Sequence, residues 1–171
     1  PKIDIQMKNA NGKEDTAFTV QYDFVMSQRF NLKFINEQGE HEPAIVIHRS
    51  SVGAIARVIA FLIEHFAGAF PAWLSPVQVK VLPIADRHLY YAQNIYKQLK
   101  QSGIRAELDD RSESLQAKIR DAQLEKINYM IILGDKETDG QISVRTRSGK
   151  NSNSSLDEFL KTLSEEIKNK V

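Results

Sequence analysis

The sequence predicts an α/β protein in two unlike parts: a stretch of antiparallel sheet, then a layered α/β domain with a mixed, mainly parallel sheet. Three observations carry this expectation. Residues before His48 alternate apolar and polar with period two around a tight-turn signal. Residues after Pro76 interleave β-branched runs with helical repeats. Between them, Trp73 sits in a segment punctuated by Pro71 and Pro76. The expected boundaries are residues 1–72, a linker at 73–76 and a second domain at 77–171.

Each element has its own signal. Ile3, Ile5 and Met7 alternate, Asn11-Gly12 marks a turn, and Phe18, Val20, Tyr22 and Phe24 alternate again, which predicts a hairpin. Phe30, Leu32 and Phe34 predict a third strand. Polar residues 36–42 then lead into an apolar run, Ala44 to Ile47, that ends at His48. Val52, Ile55, Ile59, Leu62, Ile63 and Phe66 repeat at helical spacing, with Gly68 placed as a C-cap. Four strands and one helix leave sheet edges bare, so residues 1–72 read as the tail of a larger antiparallel-sheet domain, and Pro1 in place of an initiator Met agrees.

The second part opens with a strand, Val77 to Ile84, followed by a helix from about His88 to Ser102 that Gly103 ends. Ile104 to Leu108 is a second strand and Leu115 to Ile127 a second helix. Tyr129 to Leu133 is wholly apolar and belongs in the middle of a sheet, with a turn at Gly134-Asp135-Lys136. Gln141 to Arg147 alternates as a further strand, Asn151 to Ser155 reads as a flexible loop, and Ser154 or Ser155 caps a last helix from Leu156 to about Asn169. Right-handed crossovers put helices on both faces of such a sheet.

Composition excludes several functions. No cysteine is present among 171 residues, so disulfides and thiolate metal sites are ruled out. No apolar run reaches the roughly 18–20 residues that span a bilayer, and the N-terminus lacks a signal-peptide core, so no membrane association and a cytoplasmic location are expected. With 23 basic and 22 acidic side chains there is no global field for a polyanion, and nucleic-acid binding must come from a local patch. No phosphate-cradling glycine loop follows Val77 to Ile84, which argues against a flavodoxin-like small-molecule enzyme.

The segment from Ile47 to Pro76, with its IHR triplet and the phrase FAGAFPAWLSP, resembles the last motif of class II aminoacyl-tRNA synthetases, and among these the threonine-specific enzymes. Residues 77–171 resemble their anticodon-binding domain. The resemblance implies that His48 is a zinc ligand in the intact parent, and that Arg57, Gln21 and Thr19 contact ATP or the adenylate. It implies that Ile84, Ser112, Arg120, Glu137 and Arg145 read anticodon bases of tRNA(Thr). An Arg can grip guanine with two hydrogen bonds and a Glu can accept from a ring N–H or amine, and unstacked loop bases expose those edges. Lys118, Arg111 and Arg147 are further cations that could converge with Arg120 and Arg145 at one sheet edge.

The implied activity is that of a threonine-tRNA ligase, which uses Mg-ATP and zinc in a homodimeric parent. A lone His48 cannot build a zinc site, which needs at least three protein ligands, so neither a bound cofactor nor turnover is expected of the 171 residues alone. The pattern is altered in places. Ala54 and Ala56 replace a hydroxyl residue and a Glu, Thr16-Ala17 replaces Gln-Cys, Ser112 replaces an Asn and Gln116 a Gly. Ser112 loses the two-ended amide that reads a base edge. These changes leave open a second reading, a stand-alone paralogue that binds tRNA or regulates without catalysis.

Overall fold

Period-two alternation produces the expected hairpin. β1 (Lys2–Lys8) and β2 (Glu14–Asp23) pair antiparallel. Their turn is held by Asn9, whose Oδ1 accepts from the N–H groups of Asn11 and Lys13, both at 3.0 Å. The computed structural model describes residues 1–135 and 140–171 and divides into two units, Pro1–Ala67 and Gly68–Val171.

The expected strand through Phe30 is not formed. The Asp23 carboxylate accepts from the N–H groups of Val25 and Met26, each at 2.9 Å, and starts a short helix, α1 (Val25–Arg29). Only β3 (Lys33–Ile35) remains extended, and it pairs with β4 (His41–Pro43) as a separate ribbon. β5 (Val46–Ser50) returns alongside β2, giving the sheet order β1-β2-β5. α2 (Ile55–Phe66) starts at Ala54, so Val52 lies before the helix, and it ends where Ala67 (φ 49°) and Gly68 (φ 74°) turn left-handed. Among the described residues of this unit only Ala17 and Ser27 are buried, while Ile3, Ile47 and Ile55 are 64–70% exposed.

In the second unit the sheet order is β10-β9-β8-β6-β7. β6 (Val79–Pro83) lies parallel to β7 (Ala106–Leu108) and β8 (Tyr129–Leu133), and β8 is central, as its apolar run requires. A single 3₁₀ turn, Asp86–His88, leads into α3 (Leu89–Gln101); α4 (Leu115–Leu124) and α5 (Leu156–Asn169) complete the unit. Strand alternation sorts the core into two layers. Val79, Val81, Ile131 and Val144 pack with Ala92, Ile95 and Leu99 of α3 and Leu156, Phe159 and Leu163 of α5. Leu82 and Met130 face the other way, onto Ala122, Ile119 and Leu115 of α4. Helices therefore cover both faces, and each fully buried Leu or Ile contributes about 1.5–3 kcal/mol.

Two expectations are corrected here. Residues 73–76 are bonded into the second unit. Arg105 donates to the carbonyls of Ser75 (2.8 Å), Trp73 (2.9 Å) and Ala72 (3.2 Å), and Gln78 Nε2 donates to Ala72 O at 2.8 Å. Ala72 is fully buried in the α3–α5 layer. Asn151–Ser155 is also no loop: it forms β10 against β9 (Gln141–Thr146), because the turn through Gly149 (φ 87°) brings five backbone positions into register. Pairing overrides the weak strand preference of Asn and Ser. Ser155 caps α5, its Oγ accepting from Glu158 N–H at 3.2 Å.

Candidate nucleic-acid interface

In a parallel sheet, ligands collect beyond the carboxyl ends of the strands. There, Ile84 follows β6, its N–H bonded to Leu133 O at 2.9 Å and its side chain 43% exposed. A cleft of about 260 Å³ opens between the β6–α3 turn and the β7–α4 loop, lined by Ile84, Ala85, Asp86, Arg111, Ser112 and Glu113 over Lys118. Two predicted site residues, Ile84 and Ser112, thus share one cleft.

The cations are divided between framework and surface. Lys118 does not reach the surface: it is 4% exposed, and its Nζ donates to Pro83 O at 3.2 Å and Asp109 O at 3.1 Å, tying the ends of β6 and β7 together. Arg111 forks onto buried Asp109 (2.9 and 2.7 Å) and reaches Asp121 at 3.1 Å. That fork holds the Asp109 carboxyl below its usual range and pushes the Arg111 guanidinium up. Arg147 turns back to Phe70 O at 2.9 Å and Lys126 O at 3.3 Å. These three serve the fold, and the expected convergence of all five cations does not occur.

Arg120 and Arg145 remain available. Arg120 is 71% exposed on α4, and its contacts to Asp121, at 3.3 and 3.4 Å, are long. Arg145 lies opposite Met130, hence on the α4 face of the sheet, and Nη1 donates to Asn151 Oδ1 at 3.1 Å. Its Nε is buried and takes no partner among the described residues, and a Cβ at Gly149 would stand in ordinary contact with Nη2, 3.4 Å away. Through Met130 and Lys80 the register sets Arg145 four residues below Ile84, about 13 Å along the strands. Arg145 therefore does not line the cleft. Glu137 lies outside the described residues.

In the first unit, Gln21 pairs with His48 across β2 and β5, and Thr19 stands two residues along on the same face. Three of the four residues expected in the catalytic part are thus brought together. His48 Nε2 is 3.1 Å from Asp23 Oδ2, whose carboxyl is held low first by the Met26 N–H, with Val25 N–H and His48 adding. No group of three His, Cys, Asp or Glu that could hold a metal occurs among the described residues, so these residues alone do not fit a zinc site. Arg57 stands apart: Nη1 donates to Thr16 O at 3.1 Å, and it lines a small cavity with Met7, Asp15 and Phe61 that Thr19, Gln21 and His48 do not line. The opposite sheet face, with Ile3, Val20, Tyr22 and Ile47, is apolar and open.

Sequence reasoning passed over His88 and Asp135. His88 is buried, with Nε2 2.9 Å from Asp135 Oδ1, and Arg87 grips the same carboxylate. The pattern D-R-H ahead of an apolar helix was the signal available: a His three residues into a first turn can reach back to the backbone.

Residues 78–166 match the family described as Anticodon binding domain. Over 99% of its length the chain is 47% identical to a threonine–tRNA ligase of Clostridium botulinum, and over its whole length 48% identical to that of Caldanaerobacter subterraneus, in each case covering 27% of the relative. The chain therefore spans about a quarter of the length of the curated relatives it matches. The crystal structure of the RNA binding domain of threonyl-tRNA synthetase from Cryptosporidium parvum superposes with a TM-score of 0.85 at 32% identity, covering 96% of this chain and 42% of that one. These matches line up with ligases and give the stand-alone paralogue no support. The chain belongs to the anticodon-binding domain family and is similar, from end to end, to part of the threonine–tRNA ligases.

Proposed function

We propose that the second unit recognises the anticodon stem-loop of tRNA(Thr), within a ligase that activates threonine with Mg-ATP and transfers it to that tRNA. The observation that carries this is the α4 face: an exposed Ile84 beside Ser112 in one cleft, with Arg120 and the half-buried Arg145 on the same side of the sheet. A separation of about 13 Å suits an extended loop with several unstacked bases better than one small ligand. Ile84 offers an apolar platform, Ser112 one hydrogen bond, Arg145 and Arg120 charged donors, and Glu137 an acceptor.

The first unit contributes to the catalytic domain of the cytoplasmic, homodimeric parent. Thr19 and Gln21 on its polar face, with Arg57, contact ATP or the adenylate, and His48 supplies one zinc ligand among several from elsewhere in the enzyme. Its bare apolar face fits a unit that packs against further polypeptide.

The test is a titration of labelled anticodon stem-loop into the chain at several salt concentrations. Affinity falls as salt rises, since phosphates are being neutralised. Equal competition by an unrelated tRNA's stem-loop refutes specific reading.

A further inference from the structure

One exposed carboxylate takes hydrogen bonds from two side chains of the β6–α3 turn. Arg87 donates Nε to Asp135 Oδ1 at 2.9 Å and Nη2 to Oδ2 at 2.7 Å. His88 is 6% exposed, and its Nδ1 accepts from Ala85 N–H at 3.3 Å. An accepting Nδ1 carries no proton, so the neutral ring is protonated at Nε2, which donates to Asp135 Oδ1 at 2.9 Å. Asp135 is held well below the usual carboxylate range by Arg87 first and His88 second.

Exposed ion pairs add little stability, and Asp135 is 70% exposed. What a planar fork plus an imidazole supplies is geometry: together they fix position and orientation. The groups fixed are specific. Ala85 lines the cleft beside Ile84, and Asp135 stands just after β8.

We infer that Arg87, His88 and Asp135 are positioning residues that lock the turn bearing Ile84 to the exit of β8, and so fix where Ile84 meets the RNA. This rests on the anticodon-binding reading. It assigns no RNA contact to the three residues; they act through Ile84 and Ala85.

The experiment uses the full chain with Asp135→Ala, Asp135→Asn and, as a control on the β9–β10 turn, Ser148→Ala. Two quantities are read: the hydrogen-exchange rate of the Ala85 amide, and the affinities for the anticodon stem-loop and for one with a single anticodon base changed. Asp135→Ala frees His88, speeds Ala85 exchange and weakens cognate binding, each by about tenfold, the size of the single Ala85 N–H to His88 hydrogen bond, and narrows base discrimination. Asp135→Asn, which keeps an acceptor for His88, falls between, and Ser148→Ala changes neither. Wild-type exchange at Ala85 in Asp135→Ala overturns the clamp, and faster exchange with full discrimination overturns its role in reading. A wild-type chain that binds no stem-loop sinks the anticodon reading itself, and the exchange rates then judge the clamp by themselves.

Discussion

Lys118 lies beneath the Ile84 cleft with its Nζ 3.1 Å from the carbonyl oxygen of Asp109, a buried cation satisfied by backbone rather than by a carboxylate. Replacing it with Met leaves the carbonyls of Pro83 and Asp109 unpaired in the interior. Lys118→Met is expected to destabilise the second unit by about 2–3 kcal/mol, read as a lower urea midpoint with unchanged slope.

Asp109 gives a pH signature. Its folded pKa is lowered by Arg111, so its contribution is complete above the unfolded value of about 3.9 and disappears as pH falls through the lower folded value. Stability is therefore flat from neutral to mildly acidic pH and drops below about pH 4. Asp109→Asn is less stable at neutral pH and shows a shallower acid-side fall. Asp121 and Asp135 shift in the same direction, so the dependence shrinks without vanishing.

The N-terminus of α2 is under-capped. Ala54 holds extended N-cap geometry (φ −91°, ψ 119°) with no side-chain acceptor. Ala54→Ser should stabilise the helix by about 0.5–1 kcal/mol, measurable as slower amide hydrogen exchange in the first turn of α2. No gain would show that the α2 N–H groups are already satisfied.

The two units should behave differently when separated. Residues 68–171 carry both core layers and should unfold cooperatively in isolation. Residues 1–67, with Ile3, Ile47 and Ile55 bare, should bind a hydrophobic-surface dye and melt without a sharp transition.

Much of this was legible in the sequence. The apolar run Tyr129–Leu133 announced a central strand, and period-two alternation gave the first hairpin, because burial on a known face leaves a clear pattern. What failed was decided by contacts far apart in sequence or by single polar groups. Asp23 bonding two N–H groups converted an expected strand into α1, and β10 exists only because β9 is beside it. The site divides the same way. Ile84 and Ser112 line one cleft, whereas nothing local marks Lys118 as internal and Arg120 as external, two residues apart on one helix. His88 and Asp135 are 47 residues apart and become partners only through the sheet.

The most direct test of base reading is the affinity of the full chain for the threonine anticodon stem-loop against the same RNA with one anticodon base changed. The altered loop is expected to bind about tenfold or more weakly, as loss of one two-bonded base contact costs about 1–3 kcal/mol, and Arg145→Ala to shrink that gap. Equal affinities for the two loops would contradict it.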